Sequence, residues 1–236
     1  MNKEDYIQNE NKIKYLIKFV HREHVDYLLH KGLFMNQVNY YVNPRKKEDG
    51  QYDCWESLSS SELKLYKNRN RPIWCCTAIL IDEVKGGVIK LDKRLLSDFF
   101  KDKIEDGRLV LIDFKSFIDK IYLYPDEYTM NFGRVNYYMH PKQIGERFFS
   151  DDWSDSIFLK LSKYSYQKEF RVAINRACEI KTEKRKVFRF FEIDAVTSYE
   201  PYEYALPDLQ SISKTFTTKE IYDDIDKDYF CLNIQN

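Results

Sequence analysis

The chain has 236 residues, and its 38 Lys and Arg balance 38 Asp and Glu, so no basic surplus marks it for the phosphate backbone of nucleic acid. With 43% hydrophobic and 32% charged residues it can bury a core, which excludes a disordered chain, and no stretch reaches the roughly 20 apolar residues of a membrane span. Five Cys, two of them adjacent (Cys75 and Cys76) and none in a C-x-x-C, fit reduced thiols in a cytoplasmic setting better than a disulfide framework.

Residues 1–12 are polar, carry no apolar signal core and read as a flexible N-terminus. Ile13 to Val20 is rich in β-branched and aromatic residues and predicts a strand. A short helix is expected from Arg22 to Lys31, with Gly32 as its stop signal, followed by a second short strand from Leu33 to Met35. A charged loop, Arg45 to Asp53, precedes a capping-box pair, Ser59 and Glu62, that opens a helix through Lys67.

Ile73 to Ile81 is a continuous apolar run, the pattern of a strand buried on both faces. The Gly86-Gly87 pair turns it into a successor at Val88 to Leu91. Leu95, Leu96, Phe99, Phe100 and Ile104 recur at helical spacing, with Gly107 as the close. Leu109 to Ile112 reads as a buried strand and Phe114 to Ile121 as an amphipathic helix. A strand-like VNYY after Gly133, a Pro-started helix from Pro141, and strands at Gln167 to Asn175 and Val187 to Ile193 follow, with a basic hairpin-like tip at Lys181 to Lys186. Thr217 and Glu220 form a second capping box for a last helix, and Phe230 to Ile234 is a closing strand. No Pro-, Gly- or Ser-rich linker divides residues 13–236, and the irregular alternation of elements predicts a single α+β domain with a mixed, mostly antiparallel sheet and short helices packed on it.

Phosphate loops, dinucleotide fingerprints and zinc or serine-hydrolase motifs are absent. His21 and His24 stand three apart at a helix start, a spacing that two solvated residues share with two ligands, and no metal is expected. Cys75 and Cys76 lie in an apolar run and read as core. The most informative segment is Lys160 to Arg171. Gln167, Glu169 and Arg171 alternate along a strand and share one face, opposite Phe170 and Val172. That face is either solvated, with a Glu169–Arg171 ion pair, or the mouth of a site that also includes Lys160 and Tyr164. A second cluster holds Asn36, Tyr40, Tyr41, Asp53 and Glu56. The carboxylates suit a cation, acid–base work or a cap, and the tyrosine pair suits stacking on a base or covering the core edge. Basic residues at 45–47, 64–71 and 181–189 form a third group, better read as solvated surface than as a nucleic-acid interface.

The order of segments resembles a group of uncharacterised bacterial and prophage-borne proteins that share a domain of unknown function. The resemblance rests on Gly32, Leu33, Phe34, Met35, Asn36 and Tyr40, then Asp53 and Glu56, then Ile73, Trp74 and Cys75, and finally Phe158, Lys160, Tyr164, Gln167, Glu169, Phe170 and Arg171. It implies a phage or mobile-element setting and no established activity; the function expected in that setting is a part in host–phage conflict, binding a host protein or a nucleotide signal, with no cofactor. A thinner resemblance links Gln167-x-Glu169 and the strand–helix–Gly–strand opening to ADP-ribosyltransferase-like enzymes. It implies NAD as substrate, Glu169 as the carboxylate that stabilises the ribose as nicotinamide leaves, and Gln167 positioning the acceptor. Lys18, with His21 just beyond, would stand where that superfamily has an Arg or His.

Overall fold

The computed structural model describes residues 12–41, 70–100, 105–139, 155–178, 180–188, 191–223 and 228–235. The first stretch is strand β1 (Ile13–His21), a 3-10 turn over Arg22–His24, helix α1 (Val25–His30), strand β2 (Gly32–Gln37) and the single turn α2 (Val38–Tyr41). Gly32 opens β2 at φ +138°, and a Cβ there would stand 2.1 Å from the Tyr204 carbonyl oxygen, so only glycine fits this approach of two chains.

Strand β3 (Pro72–Leu80) carries the apolar run and is buried along nearly all its length. The hairpin of β4 (Val84–Lys85) and β5 (Val88–Asp92) turns on Gly86 and Gly87, both at positive φ, as a tight two-residue hairpin loop requires. Helix α3 (Arg94–Phe100), β6 (Gly107–Asp113) and helix α4 (Phe114–Leu123) follow; Asp113 caps α4 by accepting the Ser116 N–H at 2.9 Å. Next come β7 (Met130–Arg134), β8 (Asn136–Tyr138), β9 (Leu159–Leu161) and β10 (Glu169–Ile174), then the hairpin of β11 (Ile180–Phe188) and β12 (Phe191–Tyr199). The last strands are β13 (Tyr202–Ala205), β14 (Ser213–Thr217), β15 (Tyr222–Asp223) and β16 (Tyr229–Asn233).

The architecture is the expected α+β, and among the described residues every strand pair but β8 with β9 is antiparallel. β3 is its hub, because it pairs with β10, β1 and β2. Hydrogen-bond parity shows how two edges serve three partners. The Ala78 N–H donates to the Lys168 carbonyl, so even residues of β3 face β10. The Arg71 carbonyl accepts from Val38 and the Ile81 N–H donates to Lys12, so odd residues face the other edge. On that edge Thr77 pairs with Ile17 of β1 and Ile73 pairs with Asn36 of β2. Both neighbours run antiparallel to β3, and each leaves it where the other begins. The sheet therefore forks: β1 continues with β6 and β14, while β2 continues with β13.

Face parity then sorts the core. On one face Leu16, Trp74, Val110, Ile112, Phe170 and Val172 pack with Phe117, Ile118 and Ile121 of α4. On the other, Ile17, Phe19, Ile79, Leu109 and Leu111 meet Ile89, Leu91, Leu95, Phe100, Phe230 and Leu232. A smaller cluster of Val38, Ile73, Ile157 and Ala173 covers the far end of that second face. Between the two clusters the strands carry Cys75, Glu169 and Arg171.

Several sequence expectations are corrected. The strand expected at Gln167 begins at Glu169: Gln167 ends a 3-10 segment (Ser162–Gln167), and Lys168 turns the chain in the left-handed region at φ 45°. The basic stretch Lys181 to Lys186 lies inside β11 and is no tip, and Val187 to Ile193 spans the end of one strand and the start of the next. No Gly, Pro or Asn marks that reversal, so the sequence carries no punctuation there. The Thr217–Glu220 capping box forms, with Glu220 accepting from the Thr217 N–H and hydroxyl at 2.6 and 2.7 Å, but it caps one 3-10 turn rather than a helix. Gly107 opens β6 rather than closing α3, and the expected end of that helix at 101–104 falls outside the described residues. The same holds for the loop at 45–53, the Ser59–Glu62 helix and the helix from Pro141. Among the described residues no helix is long and apolar enough to cross a membrane.

Candidate functional site

A cleft of about 1170 Å³ fills the fork. Its walls are the diverging end of β1 (Lys18 to His21), the middle of β3 (Ile73 to Thr77), β2 and α2 (Gly32, Phe34, Asn36, Tyr40, Tyr41), the end of α3 (Asp98 to Phe100), and Lys160, Gln167, Glu169 and Arg171. Because β1 and β2 part at Cys75, the cleft passes through the gap and touches groups from both faces of the sheet.

Glu169 is the centre of its polar wall. Oε1 accepts from Arg171 Nε at 2.6 Å and Oε2 from Lys160 Nζ at 2.9 Å, while the Cys75 thiol donates to the same carboxylate. Its main-chain N–H donates to the Tyr137 hydroxyl at 2.9 Å, and Arg171 Nη1 donates to the Ile157 carbonyl. Relative exposures of 6% for Glu169, 5% for Lys160 and 1% for Arg171 make this a buried ionic network rather than a solvated strand face. Burial pushes the Glu169 carboxyl up, but the Arg171 guanidinium, the Lys160 ammonium and their hydrogen bonds outweigh it and hold the group well below the usual carboxylate range. The carboxylate is therefore ionised at neutral pH. Burial pushes the Cys75 thiol up, and the neighbouring Glu169 charge adds to that, so Cys75 stays a protonated thiol at neutral pH.

Lys18 stands between the buried Ile17 and Phe19 of β1. Its ammonium donates to the Cys75 carbonyl at 2.6 Å and lies 5.1 Å from the centre of the Trp74 ring. Burial lowers its pKa, opposed by the nearby Cys75, Cys76 and Glu169. Burial also raises the Tyr41 phenol well above its ordinary value, and Tyr41 is hydrogen-bonded to Asn36 and meets Tyr40 edge-on at 5.3 Å.

The entrance has a different character. Phe34 is 47% exposed and meets Tyr27 edge to face at 6.2 Å, and the Phe99 ring stacks flat on Phe19 at 4.9 Å. Asp98 accepts from the Tyr166 hydroxyl and from Gln167 Nε2 at 3.2 Å, while Arg94 lies over the Tyr166 ring at 3.8 Å. His21 meets Phe100 edge-on at 5.8 Å, and His24 stands 3.5 Å from Glu23 at the exposed rim. Among the described residues no group of three or more His, Cys, Asp and Glu is placed to hold a metal ion.

The structure thus brings Asn36, Tyr40, Tyr41, Lys160, Gln167, Glu169 and Arg171 to one cleft. Tyr164 stands beside the cleft, its ring centre 5.1 Å from Lys160 Nζ, and Asp53 and Glu56 lie outside the described residues. Sequence reasoning assigned Cys75 to the core and passed over Asp98, Phe34 and Glu203, all of which line the cleft. The available signal was Lys18, a cation in the apolar run from Leu16 to Val20. Comparisons of the chain with protein-family models, with curated proteins and with solved structures return no match.

Proposed function

We propose that this chain is a binding protein whose cleft takes a small nucleotide-type ligand, with the aromatic groups of the entrance against its base and its anionic end toward Lys18. One observation carries the reading: the deep wall gathers the basic side chains of Lys18, Lys160 and Arg171 with Glu169, in a cleft whose mouth is aromatic. Lys18, whose ammonium is held by a carbonyl, attracts an anion in surroundings of low dielectric, where charge counts more than in water. In the mobile-element setting implied by the resemblance, a ligand of this kind is a nucleotide signal of host defence.

Thermal melting of the full chain with a panel of nucleotides, cyclic dinucleotides and NAD tests this. A binder at a hundred times its Kd stabilises the fold by about 2.7 kcal/mol, which is visible as a raised Tm. Phe34→Ala is expected to weaken that binder by a stacking contribution of about 1–3 kcal/mol. A panel that leaves Tm unmoved at millimolar concentration overturns the reading.

A second reading keeps Glu169 as the carboxylate of an NAD-consuming enzyme. It is favoured by one observation, that an ionised Glu169 and Gln167 line the same cleft. Release of nicotinamide from NAD, lost in a folded Glu169→Gln protein, would establish it; stabilisation by NAD without turnover would leave binding alone.

A further inference from the structure

The fork leaves one rung of the central ladder unmade. Odd residues of β3 turn their main-chain groups toward the edge that β1 and β2 share; Thr77 finds Ile17 there and Ile73 finds Asn36. Cys75 lies between them, and among the described residues neither strand pairs with it. In an antiparallel strand the N–H and C=O of one residue point to the same edge, so both Cys75 groups face the gap. Its carbonyl is met by the Lys18 ammonium at 2.6 Å. Its N–H points into the cleft beside that ammonium, which has further N–H donors to offer.

We propose that this unmade rung is a phosphate seat: one anionic oxygen accepts from the Cys75 N–H and another from Lys18 Nζ. The proposal rests on the nucleotide reading of the cleft and names the place of the ligand's phosphate. The chemistry fits on three counts. A main-chain N–H on a cleft wall without a ladder partner is open to an acceptor, and an anionic oxygen is the strongest available. Glu169, whose charge acts on Lys18, accepts its hydrogen bonds from Arg171 and Lys160, so the Lys18 ammonium can turn a donor to an incoming anion. A phosphate also has several acceptor oxygens, enough to leave the Lys18–Cys75 carbonyl bond in place while both donors are used.

Amide NMR of the full-length chain tests the seat with four probes: inorganic phosphate, acetate, AMP and adenosine. Phosphate and AMP are expected to shift the Cys75 amide, acetate at equal concentration to shift it less, and adenosine to leave it in place. Lys18→Met is expected to weaken phosphate and AMP at least tenfold without changing the affinity for adenosine, and Lys18→Arg to restore most of the loss. The Tm and amide dispersion of each variant establish that it folds. A Cys75 amide that stays still under saturating AMP, or a folded Lys18→Met that binds AMP as tightly as the parent, overturns the seat while the nucleotide reading stands. An acetate shift equal to that of phosphate overturns the assignment to phosphate. Inorganic phosphate moving Cys75 while neither AMP nor adenosine binds supports the seat and sinks the nucleotide reading instead.

Discussion

The two faces of the central sheet are built on different terms. Beneath α4 the strands pack Leu16, Ile112 and Val172 against Phe117, all fully buried, and Lys18, two residues along β1 from Leu16, shares that face at its cleft end. On the opposite face two apolar clusters are separated by Cys75, Glu169 and Arg171, with Lys160 brought in from β9. Burying an ion network is no cheap route to stability, since well-packed apolar side chains of like volume serve as well or better. The first face carries the larger apolar core, and the second holds the buried ion network in register.

The largest expected effect tests that contrast directly. Glu169→Gln leaves two buried cations facing a neutral amide and should destabilise the fold by about 3–5 kcal/mol in chemical denaturation. The triple variant Lys160→Met, Glu169→Leu, Arg171→Met should regain most of that stability and lose the ligand-induced rise in Tm. A triple variant as unstable as the single one would show that the network is needed for the fold itself. On the apolar face, Leu16→Ala should cost about 2–5 kcal/mol by leaving a cavity, and ligand affinity should stay within about twofold. A large loss of affinity there would erase the distinction between the faces.

Acid sharpens the comparison. The folded-state pKa of Glu169 lies below its ordinary value of 4.5, so its contribution is fully present above that pH and is lost as the pH falls toward the folded value. The Tm difference between the parent and Glu169→Gln should be constant from pH 8 to about 5 and shrink below it. For Leu16→Ala the difference should show no such step. Of the smaller effects, Tyr204→Phe removes a hydroxyl that donates to the Tyr124 carbonyl and should cost about 1 kcal/mol. Lys168→Gly relieves a left-handed residue and loses a half-exposed ion pair with Glu83, so a net gain of at most about 1 kcal/mol is expected.

Much of this was legible in the sequence because local signals and tertiary structure agreed. The apolar run in β3, the Gly86-Gly87 hairpin and the amphipathic α4 form as the pattern predicts. Alternation correctly put Glu169 and Arg171 on one side of a strand. It could not say that β10 lies between β3 and β7 with both faces covered, so the ion pair is buried rather than solvated. Gln167 reaches the same cleft by another route, from the 3-10 segment before the strand, because Lys168 reverses the chain between them. The fork itself has no local signature. It depends on which strands share an edge of β3, a matter of pairing between segments far apart in the chain.

That hub carries a cost in time. β3 is made long before its partner β10: Phe170, whose carbonyl meets the Cys76 thiol, stands 94 residues further along. Non-local pairings close large loops before any contact rewards them, and they slow folding relative to helical proteins of similar size. On the ribosome β3 can meet β1 and β2 early, but its other edge stays open until β10 emerges. Trp74, Cys76 and Ala78 turn their main-chain groups toward that edge, which is apolar and has no charge to keep another chain away. The strand that makes the cleft is thus also the segment through which newly made copies of this protein would first stick to one another.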